Sequence, residues 1–167
     1  MTTEDVFIKI VLDAWHTQIK YTNDLFSELP DEQLMKEIAP GKNRGIYLLG
    51  HLTAVHDRML PLLELGSSLY PQLWQPFVES PDKKVAELPD IKELRNYWNN
   101  VNEKLASGFS SFTPAQWLEK HTSVSEQDFA KEPHRNKLNI IINRTNHLAN
   151  HLGQLLLLKP KDEVVKQ

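Results

Sequence analysis

Two imidazoles stand four residues apart in "NHLANHLGQLLLLK", residues 146–159, at His147 and His151. On a helix that spacing puts both rings on one face, one turn apart, where a pair can hold a single metal ion. On a helical wheel His151 falls about 40° from Leu155 and about 60° from Leu148. The pair therefore borders a leucine-rich face and points at or near the core. Burying two adjacent neutral imidazoles without partners costs a few kcal/mol. A metal ion would satisfy them, and so would ordinary hydrogen bonds in the core or at the surface.

A metal centre needs a further ligand from another part of the chain. Histidines occur at positions 16, 51, 56, 121, 134, 147 and 151. His51, in "GIYLLGHLTAVHDRML", is the candidate, because it follows Leu48 by three residues and precedes Val55 by four, on the edge of an apolar stripe. His56 is rotated from it by about 140° and is expected to face elsewhere. His16 lies about 100° off the stripe of its own segment and ranks second. His121 and His134 fall in a long connection and are expected to be solvated. The sequence has no Glu-x-x-His, no His-Glu-x-x-His, no Gly-x-Ser-x-Gly and no glycine-rich phosphate loop. Nothing marks a Ser-His-Asp arrangement. There is no cysteine, which excludes disulfides, thiolate zinc sites and a cysteine nucleophile. No general base stands out, since neither Asp57 nor Glu64 falls convincingly on the His51 stripe.

Four helical segments must position these rings. In the first, Ile8, Val11, Trp15, Ile19, Thr22 and Phe26 share a stripe, and Thr2 or Thr3 can cap it. In the second, Leu48, Leu52, Val55, Met59 and Leu62 align, with Asn43 as a plausible cap and Pro61 expected to kink or end the helix. In the third, Ile91, Leu94, Trp98, Val101, Leu105 and Phe109 form a near-heptad seam behind an Asp90–Glu93 capping pair. In the fourth, Leu138, Ile141, Thr145, Leu148, Leu152 and Leu155 face one way between Pro133 and Pro160. No stretch shows the alternation of a strand. "LPDEQL" and Thr113-Pro114-Ala115-Gln116 predict short helices in the connections. Residues 66–89 carry four prolines with Tyr70, Trp74 and Phe77. That linker is long enough for the second and third helices to be parallel, joined by a crossover. Its aromatics are expected mainly to plug one end of the bundle.

The 167 residues, 40% hydrophobic and 25% charged, suit one globular domain with a real core. A net charge of −3 gives no basic footprint for nucleic acid and no cationic face for a membrane. Glu4, Asp5, Lys9 and Asp13 interrupt the amino terminus, and the run Leu155 to Leu158 is far short of a membrane span. A cytoplasmic protein is the expectation, with residues 160–167 as a frayed tail.

"PGKNRGIYLLGHLTAVHDRML", followed after a long gap by "RTNHLANHLGQLLLLK", resembles the DinB-like superfamily. That family typically has His-Leu early in its second helix and His-x3-His near the end of its fourth, often followed by Gly-Gln. Here these are His51-Leu52, His147, His151 and Gly153-Gln154. The lead-in "LPDEQLMKEIAPGKN" is similar too, and the likeness runs from about residue 5 to residue 158. The resemblance implies an all-α, down-up-up-down four-helix bundle with a long crossover between helices two and three. It also implies a divalent metal, zinc or nickel, held by His51, His147 and His151, and a homodimer acting on a small-molecule substrate. Relatives include S-transferases and isomerases that use low-molecular-weight thiols, and metal-dependent hydrolases.

Three neutral imidazoles leave a coordination position open, the pattern of a catalytic zinc site rather than a closed structural one. Such an ion serves hydrolysis or thiol transfer equally well. Ligating rings donate their second N–H to a neighbour, and Asn146, Asn150 and Gln154 are near enough to be that neighbour. For the asparagines, exposure on a helix flank is an equal expectation. The competing class is a non-enzymatic dimeric bundle in stress or interaction, with a structural metal or none.

Overall fold

The helices begin where their caps are written. Helix α1 (Thr3–Glu28) starts after Thr2, whose hydroxyl accepts the Asp5 N–H while the Asp5 carboxylate takes the Thr2 N–H. Helix α2 (Asp31–Leu34) is the single turn expected of "LPDEQL". Helices α3 (Gly45–Asp57) and α4 (Met59–Leu62) come from the second apolar stripe. Helix α5 (Ile91–Ser111) carries the Asp90–Glu93 capping box, and α6 (Pro114–Trp117) the Thr113–Gln116 box. Helix α7 (Glu126–Lys131), capped by Ser125, was not anticipated. Helix α8 (Lys137–Leu155) is capped by Asn136 and runs into a 3₁₀ turn at Leu156–Leu158. These come from a computed structural model that describes residues 1–160, so the expected frayed tail lies, apart from Pro160, outside the described residues.

The second stripe departs from expectation at both ends. Arg44, not Asn43, occupies the cap position of α3, and no side chain of its own caps it. Asn43 is held in a tight turn, its carbonyl accepting the Ile38 N–H at 3.0 Å. Asp82 instead fixes the residue that enters the helix, accepting the Arg44 N–H at 2.8 Å and gripping the Arg44 guanidinium at 2.7 Å. At the other end the helix breaks after Asp57, four residues before Pro61. Proline has no N–H to offer the Asp57 carbonyl, which takes a long contact from the Ser68 hydroxyl instead.

The four long helices α1, α3, α5 and α8 make the bundle, and side-chain pairs fix their directions. Ile46 and Ile91 line one cleft, His56 bonds Asn102, and Leu65 lies against Gly108. The numbers rise together, so α3 and α5 are parallel. Phe26 packs on Trp98 and Trp15 on Phe109, so α1 opposes α5. Gly45 abuts Leu158, while His51 meets His147 and Val55 shares a cleft with Arg144, so α3 opposes α8. Ile8 shares a cluster with Ile140, and Glu28 pairs with Lys159 at 2.7 Å, so α1 and α8 are parallel. That is the down-up-up-down order, with residues 63–90 as the crossover between α3 and α5.

Two apolar clusters fill the bundle. One gathers Leu25, Leu48, Leu52, Leu94, Leu148 and Leu155, with Leu73 and Phe77 from the crossover. The other gathers Trp15, Leu60, Val101, Leu105, Phe109 and Ile141. The crossover is thus part of the core: Leu73 and Phe77 are fully buried. They sit in a 3₁₀ turn (Pro71–Leu73) and a π turn (Gln75–Glu79) laid on α3. Its start is tied by the Asp57 carboxylate, which accepts the N–H groups of Leu69 at 2.7 Å and Tyr70 at 2.9 Å.

Candidate metal centre

His51 faces α8 because α3 buries Leu48 and Leu52 on either side of it. His147 and His151 flank Leu148 and Leu152, which are buried against the same helix. Antiparallel packing of α3 on α8 brings the three rings together. The His147 Nε2 lies 3.1 Å from His51 Nε2 and 3.2 Å from His151 Nε2. All three ligand atoms fall within 4.8 Å of one another, and all three residues are half-buried. The three histidines named from the sequence are therefore the three that converge.

The arrangement of donors fits a metal. The Nδ1–H of His51 donates to the Phe77 carbonyl at 2.8 Å, and that of His151 to Gln154 Oε1 at 2.9 Å. Those bonds fix the tautomers and leave Nε2 of both rings as bare lone pairs. Two lone pairs then point at a third Nε2, which could offer a proton to only one of them. A cation relieves that repulsion. With metal–nitrogen bonds of about 2.0–2.1 Å, ligand nitrogens stand about 2.9 Å apart at right angles and about 3.3 Å apart in a tetrahedron. The observed 3.1 and 3.2 Å lie between. Tyr47 stacks on His51 with planes 12° apart and is itself anchored through its hydroxyl to the Ser80 carbonyl at 2.7 Å.

Burial favours the neutral form of two of the rings, the form that ligation requires. Burial lowers the pKa of His51 and takes that of His147 down to about 4. Among the described residues, His147 Nδ1 has no hydrogen-bond partner, so the expected second bond is present on two rings of the three. Gln154 supplies one of them, while Asn146 and Asn150 are exposed.

The other histidines stand apart. His56 faces away from the cluster as expected, wedged between Trp15 and Trp98 at 4.9 Å each, with Nδ1–H donated to Asn102 Oδ1 at 2.9 Å. Its burial is complete and pushes its pKa down to about 3. His16 and His134 are exposed. His121 corrects the expectation of a solvated side chain: it is only 9% exposed. Its loop folds back on the bundle, with the Thr122 N–H donated to the Leu62 carbonyl at 3.1 Å, and that carries the ring inward. No carboxylate joins the cluster among the described residues, and Asp57 is occupied by the crossover backbone. Sequence reasoning missed the Phe77 carbonyl, because a backbone acceptor leaves no mark in residue types.

No helix among the described residues is long and apolar enough to cross a membrane. A wide cleft of about 760 Å³, walled by Arg44, Lys83, Pro89 and Ile91, lies at the far end of α3 and shares no residue with the histidine cluster. No curated protein matches the chain. The bundle, the crossover and the three convergent imidazoles agree with the match of residues 14–155 to the family model of the DinB superfamily, and the chain belongs to that superfamily.

Proposed function

We propose that this chain is a metal-dependent enzyme in which His51, His147 and His151 hold one divalent ion, zinc or nickel, and that it transfers a low-molecular-weight thiol onto a small-molecule substrate. The observation that carries this reading is the set of three Nε2 atoms meeting on the half-exposed side of the α3–α8 seam. A resident ion would supply Lewis acidity and favour the thiolate over the thiol. The chain's own residues hold the geometry: the Phe77 carbonyl and Gln154 orient two rings, and Tyr47 packs against one.

Thiol transfer is preferred to hydrolysis for a specific reason. A three-imidazole ion makes its own hydroxide from water, but hydrolysis of an ester or amide also asks for an acid to protonate the leaving group, and no carboxylate of the described chain reaches the cluster. A metal-held thiol likewise ionises to solvent without a protein base, and its addition to an electrophile asks for no such acid. We take the working form to be a homodimer in the cytoplasm. Exposed Tyr21 on α1 and Leu156 after α8, which line one groove between the two helices, support an interface at the α1–α8 side, which sedimentation analysis would test.

The experiment is a panel of small thiols with electrophilic acceptors, assayed on metal-loaded protein and on protein stripped with a chelator. Metal-dependent S-conjugation, lost in His51→Ala, supports the proposal. Hydrolysis of simple esters or amides without conjugation favours the hydrolase reading. A metal whose removal only lowers the melting temperature, with neither activity present, makes the site a structural clamp.

A further inference from the structure

One helical turn from the three rings lies a second group of residues that the metal reading leaves unused. On α3, Val55 follows His51 by four positions; on α8, Arg144 precedes His147 by three. On the crossover, Trp74 precedes Phe77, the residue that holds His51, by three. Because α3 and α8 are antiparallel, these steps lead the same way along the bundle, by about 5 Å. The three residues wall one cavity of about 50 Å³ with Arg58, Met59 and Leu62.

The cavity gathers positive charge that nothing answers. Of the five arginines, Arg44 pairs with Asp82, Arg95 with Asp31 and Arg135 with Glu132. Arg58 and Arg144 make no ion pair and no side-chain hydrogen bond among the described residues. The carboxylate nearest to Arg58 in sequence, Asp57, is held by the Leu69 and Tyr70 N–H groups. The Arg58 guanidinium stands 5.8 Å over the Trp74 ring. Arg144 is half-buried beside Val55, Met59 and Leu62. A guanidinium removed from water without a counter-charge is destabilising until an anion arrives. The partner that suits it is a planar oxyanion, bound through two parallel N–H donors. A space of this size admits a few waters or one carboxylate.

We propose that the cavity between Arg144, Arg58 and Trp74 is a subsite for a carboxylate carried by the small thiol whose sulfur reaches the histidine centre. The proposal rests on the metal reading above and adds to it a preference among thiols. A sulfur and a carboxylate separated by two or three carbons span the one-turn offset between the two sites.

The test uses the full chain loaded with Co²⁺ as the visible stand-in for the native ion. It is titrated with 3-mercaptopropionate and with its uncharged amide, following the thiolate-to-cobalt charge-transfer band. The carboxylate is expected to bind at least about tenfold tighter than the amide. In Arg144→Gln that preference is expected to vanish while Co²⁺ stoichiometry and amide affinity stay as in the wild type; Arg144→Lys should keep part of it. Circular dichroism confirms that each variant is folded, and Arg58→Gln gives an independent second variant. Equal affinity for the two thiols in the wild type, or a preference untouched by both Gln variants, overturns the subsite and leaves the metal reading standing. A chain that takes up no Co²⁺ refutes the metal reading first, and the subsite falls with it.

Discussion

Gly50 marks the closest approach of α3 to the crossover turn that carries Phe77. A Cβ at position 50 would stand 2.3, 2.4 and 2.5 Å from three atoms of the Phe77 ring. Non-bonded carbons settle at about 3.5–4.0 Å, so the ring in Gly50→Ala must retreat by more than about 1 Å. The backbone of the same residue accepts the His51 Nδ1–H at 2.8 Å. A comparable shift carries that contact past the limit of a hydrogen bond. Two effects are expected and can be separated. Overpacking should lower stability by about 1–3 kcal/mol, read as a denaturation midpoint in the presence of a chelator. Loss of the bond that orients His51 should weaken metal binding by about 10–100-fold, read by competition with a chromogenic chelator. Shortening the intruded side chain with Phe77→Leu should recover part of both losses in the double variant. Gly50→Ala protein that binds metal as tightly as the wild type would refute the claim that the Phe77 carbonyl sets the ring.

Acid should destabilise the metal-free fold through His56. The unfolded histidine titrates at about 6.5, whereas burial between Trp15 and Trp98 takes the native group down to about 3. The unfolded chain therefore binds a proton that the native chain refuses, so stability is full above pH 6.5 and drains away as pH falls toward 3. His147, lowered to about 4, adds with the same sign. The loss from pH 7 to pH 4 should be on the order of a few kcal/mol in wild type and smaller in His56→Gln. A wild-type urea midpoint that is flat across that range would contradict it. Asp82→Ala removes the acceptor of the Arg44 N–H at the start of α3 and the partner of the Arg44 guanidinium. It should cost about 1–3 kcal/mol and speed proteolysis of the crossover near residues 81–89. Unchanged cleavage rates would show that Asp82 does not hold that segment.

The three clustered histidines were legible as candidates because each obeys a local rule. His147 and His151 share a face by their spacing, and His51 sits on the edge of a stripe whose burial can be read from Leu48, Leu52 and Val55. Capping boxes such as Asp90–Glu93 and Thr113–Gln116 are local too, and the structure places them as read. What stayed hidden depends on contacts far apart in the chain. The carboxylate that holds Arg44 at the start of α3 comes from Asp82, 38 residues away. The orienter of His51 is a carbonyl 26 residues away. The crossover aromatics, read as an end plug, include the buried Phe77 whose backbone serves the centre. His121 looked solvated because it falls in a long connection, and only the return of that loop onto Leu62 encloses it. Arg144 carried no signal beyond its place one turn before His147.

Metal stoichiometry tests the central claim most directly. Purified protein, stripped and then refilled with Zn²⁺ at neutral pH, should hold about one equivalent per chain. His51→Ala, His147→Ala and His151→Ala should each lose it while keeping the helical circular-dichroism spectrum. Wild-type protein that retains no zinc, nickel or cobalt after refilling, or triple replacement of these histidines that leaves binding intact, would contradict the account.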